Sequence, residues 1–542
     1  MHGKKLPSIQ KERAVGRRTD IYMGKYGRQE MTEQEIEEGN EEMDANRSCY
    51  HDRDPGRIGS AYVTVYLTLC LAVLLSLCLA LIDGVRRNGA RMEAECIADI
   101  GLYSIMAEYH RELLTQYNLF AIDSSYGTAQ CGKANTESHL RKYITKNLSY
   151  EDILLSDFFY RDFLSLELKQ AELTKGQILT DYGGTVFRRC AAEAVKDDVG
   201  LGLLQELREW TEVVEVNGLE EGKEEEKKQE LDGKIGEWAE AYNGTEVETE
   251  EGEIETLEIA NPTSALEAKK SLGILRLVIG EEDRLSQNRI QAGNLVMSRM
   301  ERGQINRGNI ECEELDDGGR LVEKFAFQEY LLRYMGRYGD EREGDALRYQ
   351  IEYLVAGKES DVENLRSVAN RLCLLREAAN AMYLLSDTKK RQQIEFAAGL
   401  VCTLVMLPEL TPLLEGAILL GWAYAESVYD VKSLLAGGKV PLLKDENSWH
   451  YSLGSALAGS LQDETQDGDG LDYKDYLRIF MMIADTDTLT ARAMNMVEAD
   501  IRETPGNAGF RLDGCYAVVE ACVRIGSAYG YEYEIIRQSS YW

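Results

Sequence analysis

The chain of 542 residues carries 61 Lys plus Arg against 94 Asp plus Glu, a formal net charge of −33. So acidic a surface repels polyanions, which excludes nucleic acid as the main partner and leaves only local basic patches for acidic ligands. At this length more than one packed lobe is expected, because single cores seldom grow past about 250–300 residues.

Residues 1–57 divide into a basic stretch, "KKLPSIQKERAVGRR", and an acidic one, "EMTEQEIEEGNEEMD". With so few apolar residues the segment cannot bury a core, and a disordered tail is expected, its basic half a solvated linker or a weak contact for anionic headgroups.

From Ile58 to Ile82 run 25 consecutive uncharged residues, eight of them Leu, bounded by Arg57 and Asp83. As a helix they extend about 37 Å at ~1.5 Å per residue, enough to cross a hydrocarbon core of about 30 Å with some tilt. A signal peptide has a shorter apolar core close to the N-terminus and a small-residue cleavage site. A permanent transmembrane helix over 58–82 is therefore expected, with a buried soluble helix as the alternative. Arg53 and Arg57 precede the run and Arg86, Arg87 and Arg91 follow it, so the bias of basic residues toward the cytoplasmic side leaves the orientation nearly tied. Every fourth residue along the run is small: Ser60, Thr64, Thr68, Ala72, Ser76, Ala80 and Gly84. Small residues four apart let two helix backbones approach in lipid with a right-handed crossing. The stripe is expected to pack on a second copy or an assembly partner, chance spacing being the alternative.

Beyond the run, Met92, Cys96, Ile100, Tyr103, Met106, His110, Leu113 and Tyr117 recur every three or four residues. That periodicity predicts a helix continuing to about residue 118 with this face buried. "FLSLELKQAELT" (163–174) alternates like a strand, and "TVFRRCAAEAVKDDVGLGLLQELREW" (185–210) reads as one helix. Residues 219–258 hold 16 acidic residues and four lysines, a composition expected of a solvated insertion more than of an ion-binding face. Residues 262–435 are expected to be helical, with the apolar runs 396–408 and 416–425 too short for spans and so read as core helices. The C-terminal 515–542, rich in Val, Ile and Tyr around a Gly turn, predicts an antiparallel hairpin, with 163–174 as its partner in a small sheet. The expected fold is mainly α with a small antiparallel β-sheet (α+β), in which 83–542 forms one helix-rich domain.

Signatures of chemistry are sparse. The chain has no GxSxG, P-loop, HExxH or dinucleotide fingerprint, and five histidines, His2, His51, His110, His139 and His450. Its 11 cysteines form no CxxC and no cysteine–histidine set at zinc spacing. Cys515 and Cys522 lie too far apart on any regular element to bridge each other. "DETQDGDGLDYK" (463–474) places Asp463, Thr465, Asp467, Gly468 and Asp469 at calcium-loop positions, but Lys474 stands where a bidentate Glu is required and Gly470 where an apolar anchor belongs. A solvated turn before the helix "YKDYLRIFMMIADTD" is expected there. No catalytic, metal-binding or cofactor-binding residue is assigned, and no cofactor is expected.

Four stretches together, "GSAYVTVYLTLCLAVLLSLCLALIDGVRRNGARM" and its continuation to residue 123, "YQIEYLVAGKESDVENLRSVANRLCLLREAANAMYLL" (349–385), "GWAYAESVYDVKSLLAGGKVPLLK" (421–444) and "GLDYKDYLRIFMMIADTDTLTARAMNMVEADIR" (470–502), resemble an uncharacterised family of single-span proteins of clostridia-type bacteria associated with tight-adherence (Tad) pilus genes. The head of the span is also similar to TadE-type pseudopilins, with Gly59 at their glycine. Thr64 stands at the position of their glutamate, and a 58-residue leader precedes it, so the tail is expected to remain in the mature protein. The resemblance implies a cytoplasmic N-terminus and a C-terminal domain outside the cell membrane. It also implies a non-enzymatic, membrane-anchored role in a Tad-like pilus or secretion assembly, with lipid and either a second copy or pilus-assembly proteins as partners of the span. A membrane signalling protein whose tail binds a cytoplasmic partner, and an envelope enzyme using carboxylates, are the alternatives.

Overall fold

The computed structural model describes residues 55–128, 130–149, 164–198, 200–219, 223–242, 246–248, 254–256, 263–280, 282–300, 310, 315–404, 410–460 and 468–542. The tail expected to be disordered therefore lies outside the described residues but for its last three. So do Asp463, Thr465 and Asp467 of the loop with calcium-like spacing. The chain divides at Leu81/Ile82 into two units.

The first unit contains the start of helix α1 (Pro55–Met106). From Tyr62 to Leu81 every side chain is exposed except that of the half-buried Cys70. Among the described residues this is the one helix long and apolar enough to cross a membrane, with a mean hydropathy of 2.7 and none of the apolar window buried. The core helix of a soluble protein would hide that surface.

The second unit is mainly helical around a small antiparallel sheet, as expected. The sheet is centred on β5 (Cys515–Ser527). Along one edge β5 pairs with β2 (Leu166–Ile178), and along the other with β6 (Glu532–Ser540) and the two-residue β1 (Ile122–Asp123). A separate two-stranded hairpin joins β3 (Glu246–Glu248) to β4 (Ile254–Thr256). Val519, Ala521, Val523 and Ile525 alternate along β5 and face a layer made by the end of α1 and by α3 (Lys133–Leu148), the period-2 pattern of a strand buried on that face.

Against the sheet and α3, α1 buries Ala94, Ile97, Ala98, Leu102, Ile105 and Met106, and Ala90 is buried as well. Met92, Cys96, Ile100 and Tyr103, expected inside, are exposed. Two apolar repeats run along this helix, and the buried one mixes Ile97, Leu102 and Ile105 with the small Ala94, Ala98 and Gly101, where the approach is close. A Cβ at Gly101 would come within 2.7 Å of Ile144 Cγ1. Nor does the helix reach residue 118. It stops at Met106, Tyr109 bridges to Ile122 in the sheet, and His110 starts α2 (Arg111–Tyr117) by accepting the Leu113 N–H at 3.3 Å. A cap of this kind restarts a helix after the backbone has left it.

The single helix expected over 185–210 is likewise two, α4 (Asp181–Glu193) and α5 (Leu201–Val216), the first ending at Ala194 and the second starting after Gly200, whose backbone is extended. Within the acidic 219–258, expected to be solvated, α6 (Lys223–Tyr242) buries Lys228 and Ile235, and its Leu231 packs on Gly416. The main helical core gathers α7 (Asp317–Tyr334), α8 (Gln350–Ala356), α9 (Asp361–Ser386), α10 (Thr388–Leu404), α11 (Thr411–Leu435), α12 (Tyr473–Ile483) and α13 (Thr486–Glu503). The run 416–425 is buried in α11, whereas α10 buries Ala398 and Cys402 but exposes Phe396 and Leu400. Asp472, the tenth residue of the calcium-like loop, caps α12 in a reciprocal box with Asp475, which is how a turn before a helix satisfies its first N–H groups.

Candidate functional site: a closed ion network beside a polar cleft

In α11 the apolar sequence "GWAYAESVYDV" is interrupted only by Glu426, Ser427 and Asp430 among hydrogen-bonding groups other than Tyr and Trp. Four residues apart, the two carboxylates share one helix face. On α9, Arg376 and Asn380 do the same. All four are fully buried, and α9 packs on α11, so the two polar faces meet inside the core.

Arg376 Nε lies 3.0 Å from Asp430 Oδ2. Its remaining fork donates to the carbonyls of Pro441 and Leu442 at 2.8 Å each, to Tyr476 Oη at 3.1 Å and to Asn380 Oδ1 at 3.3 Å. Asn380 Nδ2 donates to Ser427 Oγ and to Asp430 Oδ2, both at 3.1 Å. Lys444, from the loop after α11, donates from Nζ to Glu426 Oε1 and to the Ser448 carbonyl, both at 2.7 Å, and lies 2.7 Å from Asp430 Oδ1 as an ion pair. Glu426 Oε2 accepts the Tyr451 N–H at 2.9 Å, and Oε1 accepts the His450 N–H at 3.0 Å and faces His450 Nδ1 at 3.2 Å.

Two cations thus balance two carboxylates, all four side chains buried. Burial pushes the Glu426 carboxyl up, but His450, Lys444 and the Tyr451 N–H outweigh it and hold the group at about 2. Burial pulls the Arg376 guanidinium down, and Tyr476 and Asp430 more than offset this, leaving it above its usual range. Burial pushes Tyr476 up to about 12 against the opposing Arg376 charge.

The network's outer wall borders a cleft of about 410 Å³ lined by Tyr429, Ser433, Lys439, Asp445, Ser448 and His450, among others. The His450 ring, 4.2 Å from that of Tyr429, is the network's partly exposed member. Glu426, Asp430 and His450 bring ligand atoms within 4.8 Å of one another, but the Lys444 ammonium stands between the two carboxylates. A dication would have to displace it. The arrangement suits a lock more than a metal centre: it ties α9, α11 and the 439–451 loop together.

None of these residues is among those singled out by motif or spacing, although Glu426 and Asp430, four apart in an apolar run, are a usable signal. The predicted stripe lies elsewhere. Thr64, Thr68, Ala72, Ser76 and Ala80 are exposed on α1, with Thr68 and Ser76 donating back to the carbonyls of Val65 and Val73 at 2.9 and 2.8 Å. A Cβ at Gly84 would touch nothing within 4 Å, and the Ser60 side chain is outside the described set.

Residues 252–527 match the model of a family described as a family of unknown function (DUF5702). The matched region contains the whole ion network and β5, and leaves out α1. No curated protein and no solved structure matches the chain.

Proposed function

This chain belongs to that family of unknown function, and we propose that it is a membrane-anchored, non-enzymatic component of a Tad-like pilus or secretion assembly. In this reading the span in α1 holds it, residues 1–57 are cytoplasmic, and the domain after Asp83 is outside. The observation that carries the reading is the apolar window of α1, none of which is buried. Surface of that extent is stable in lipid or against another protein, not in water. The closed ion network supports a structural role over acid–base chemistry, since its carboxylates are neutralised by cations of the same chain. The Tad context rests on the sequence resemblance. The partners are then membrane lipid and, through the stripe, a second copy or pilus-assembly proteins.

Crosslinking in cells followed by purification of the full chain from native membranes tests this. Recovery of pilus-assembly components is expected. A specific cytoplasmic partner held by residues 1–57 alone, with nothing held by the rest, favours membrane signalling instead. An activity abolished by a single Asp or Glu substitution in an intact fold favours an envelope enzyme.

A further inference from the structure

The turn between β5 and β6 sits beside the first residues of α1 that follow the apolar run. The Arg86 guanidinium carbon lies 3.9 Å from the centre of the Tyr529 ring, and that of Arg87 lies 5.0 Å from the Tyr531 ring. Tyr531 donates its hydroxyl to Asp83, which also faces Arg87 at 3.3 Å. Tyr533 donates to the Arg87 carbonyl at 2.9 Å. Tyr529, at the tip, is 44% exposed, and Val85 alongside is 71% exposed.

Depth follows from arithmetic. A helix rises ~1.5 Å per residue, so Asp83 to Arg87 lie roughly 1.5 to 8 Å beyond Ile82. The headgroup layer on each side of the hydrocarbon is about 5–8 Å thick, from total and core thicknesses of about 40–45 and 30 Å. When 58–82 spans the core, Arg86 and Arg87 stand among headgroups, and the tyrosines packed on them stand there too. Tyrosine suits that layer, with an apolar ring and a wet hydroxyl. Arginine supplies a planar donor set for phosphate, and its stem covers apolar surface.

We propose that the β5–β6 turn, with Tyr529 and Tyr531 stacked on Arg86 and Arg87, is a membrane-interface contact that binds the phosphodiester groups of lipid headgroups. This rests on the reading of 58–82 as a span. It gives the C-terminal hairpin a task besides completing the sheet: a second point of attachment to the bilayer.

The test uses full-length protein in nanodiscs of phosphatidylcholine and phosphatidylglycerol, with a photoreactive benzophenone amino acid placed singly at position 529, at position 72 inside the span, or at position 443 in the exposed loop after α11. Lipid adducts are read by intact mass. Adducts at 72 and 529 and none at 443 are expected, with Arg86→Gln/Arg87→Gln lowering the 529 adduct several-fold and sparing that at 72. An adduct at 72 without one at 529, or equal adducts at 529 and 443, overturns the contact while leaving the span intact. No adduct at 72 overturns the span reading itself. An unchanged 529 adduct in the arginine double variant overturns the phosphate-binding role assigned to the arginines.

Discussion

Arg376 and Asp430 meet at 3.0 Å with neither side chain reaching solvent. Removing one member of such a pair strands a buried charge and costs about 3–5 kcal/mol, whereas replacing both with apolar groups of similar volume is often neutral. Arg376→Met alone leaves two carboxylates against Lys444 and is expected to lower stability by about that amount. Arg376→Met/Asp430→Leu leaves Lys444 paired with Glu426 and is expected to recover much of the loss. Denaturant unfolding of the detergent-solubilised chain checks this, and a double variant no better than the single one contradicts the charge-balance account.

Stability should peak in mildly acidic solution. Burial pushes Glu352 up to about 7 from 4.5, and burial with the Asp345 charge pushes Asp500 up to about 7 from 3.8. Their native forms bind protons the unfolded chain has released. Their contribution is therefore complete below about pH 4 and is lost as pH rises through about 7. Glu426 and Asp513 go the other way. Burial raises both, but the His450 and Lys444 partners of the first and the Arg511 and Arg299 partners of the second win and hold them at about 2. Their contribution is present above about pH 4.5 and is lost as pH falls toward 2. Thermal unfolding across pH should show a maximum between these limits. Glu352→Gln keeps the acceptor for the Tyr338 N–H and the Tyr473 hydroxyl, so it should raise Tm on the alkaline side and leave it unchanged below about pH 4. An unchanged alkaline limb refutes the assignment.

What the sequence makes legible depends on how local the signal is. The hairpin β5–β6 and its partner β2 are readable because Val, Ile and Tyr alternate around Gly530, and the apolar run is readable because its length alone matches a bilayer. The buried face of α1 is not readable from periodicity, since Met92, Cys96, Ile100 and Tyr103 form as regular a stripe as Ala94, Ile97, Ala98, Gly101, Leu102 and Ile105, and contacts distant in sequence, such as that of Gly101 with Ile144, select the second. The ion network joins residues from 376 to 476 that are distant in sequence. Its half-signals, Glu426 with Asp430 and Arg376 with Asn380, acquire meaning once α9 packs on α11.

Gly470 adopts φ +140°, and a Cβ there would overlap the backbone of Val440 and Pro441, next to the paired Val440 and Leu471. Neither obstacle is a side chain that can swing away. Gly470→Ala is expected to destabilise by clearly more than the ~1 kcal/mol typical of point substitutions, while Gly437→Ala, whose Cβ would meet nothing within 4 Å, pays only for its positive φ. Comparable unfolding midpoints for the two variants would show that the loop rearranges freely.

The stripe on α1 makes its own forecast. Ala72→Leu/Ser76→Leu keeps the segment apolar but fills the groove between small residues, so membrane insertion should persist while crosslinking through the span falls. Normal insertion with every crosslinked species untouched would reduce the stripe to spacing.

The central claim is a single-span anchor with the domain after Asp83 outside the cell, and protease applied to intact, wall-stripped cells tests it most directly. Antibodies to the tail and to the domain then report each side separately. Residues 1–57 should survive with the span while the domain is digested. Survival of the domain with loss of the tail would contradict the claim.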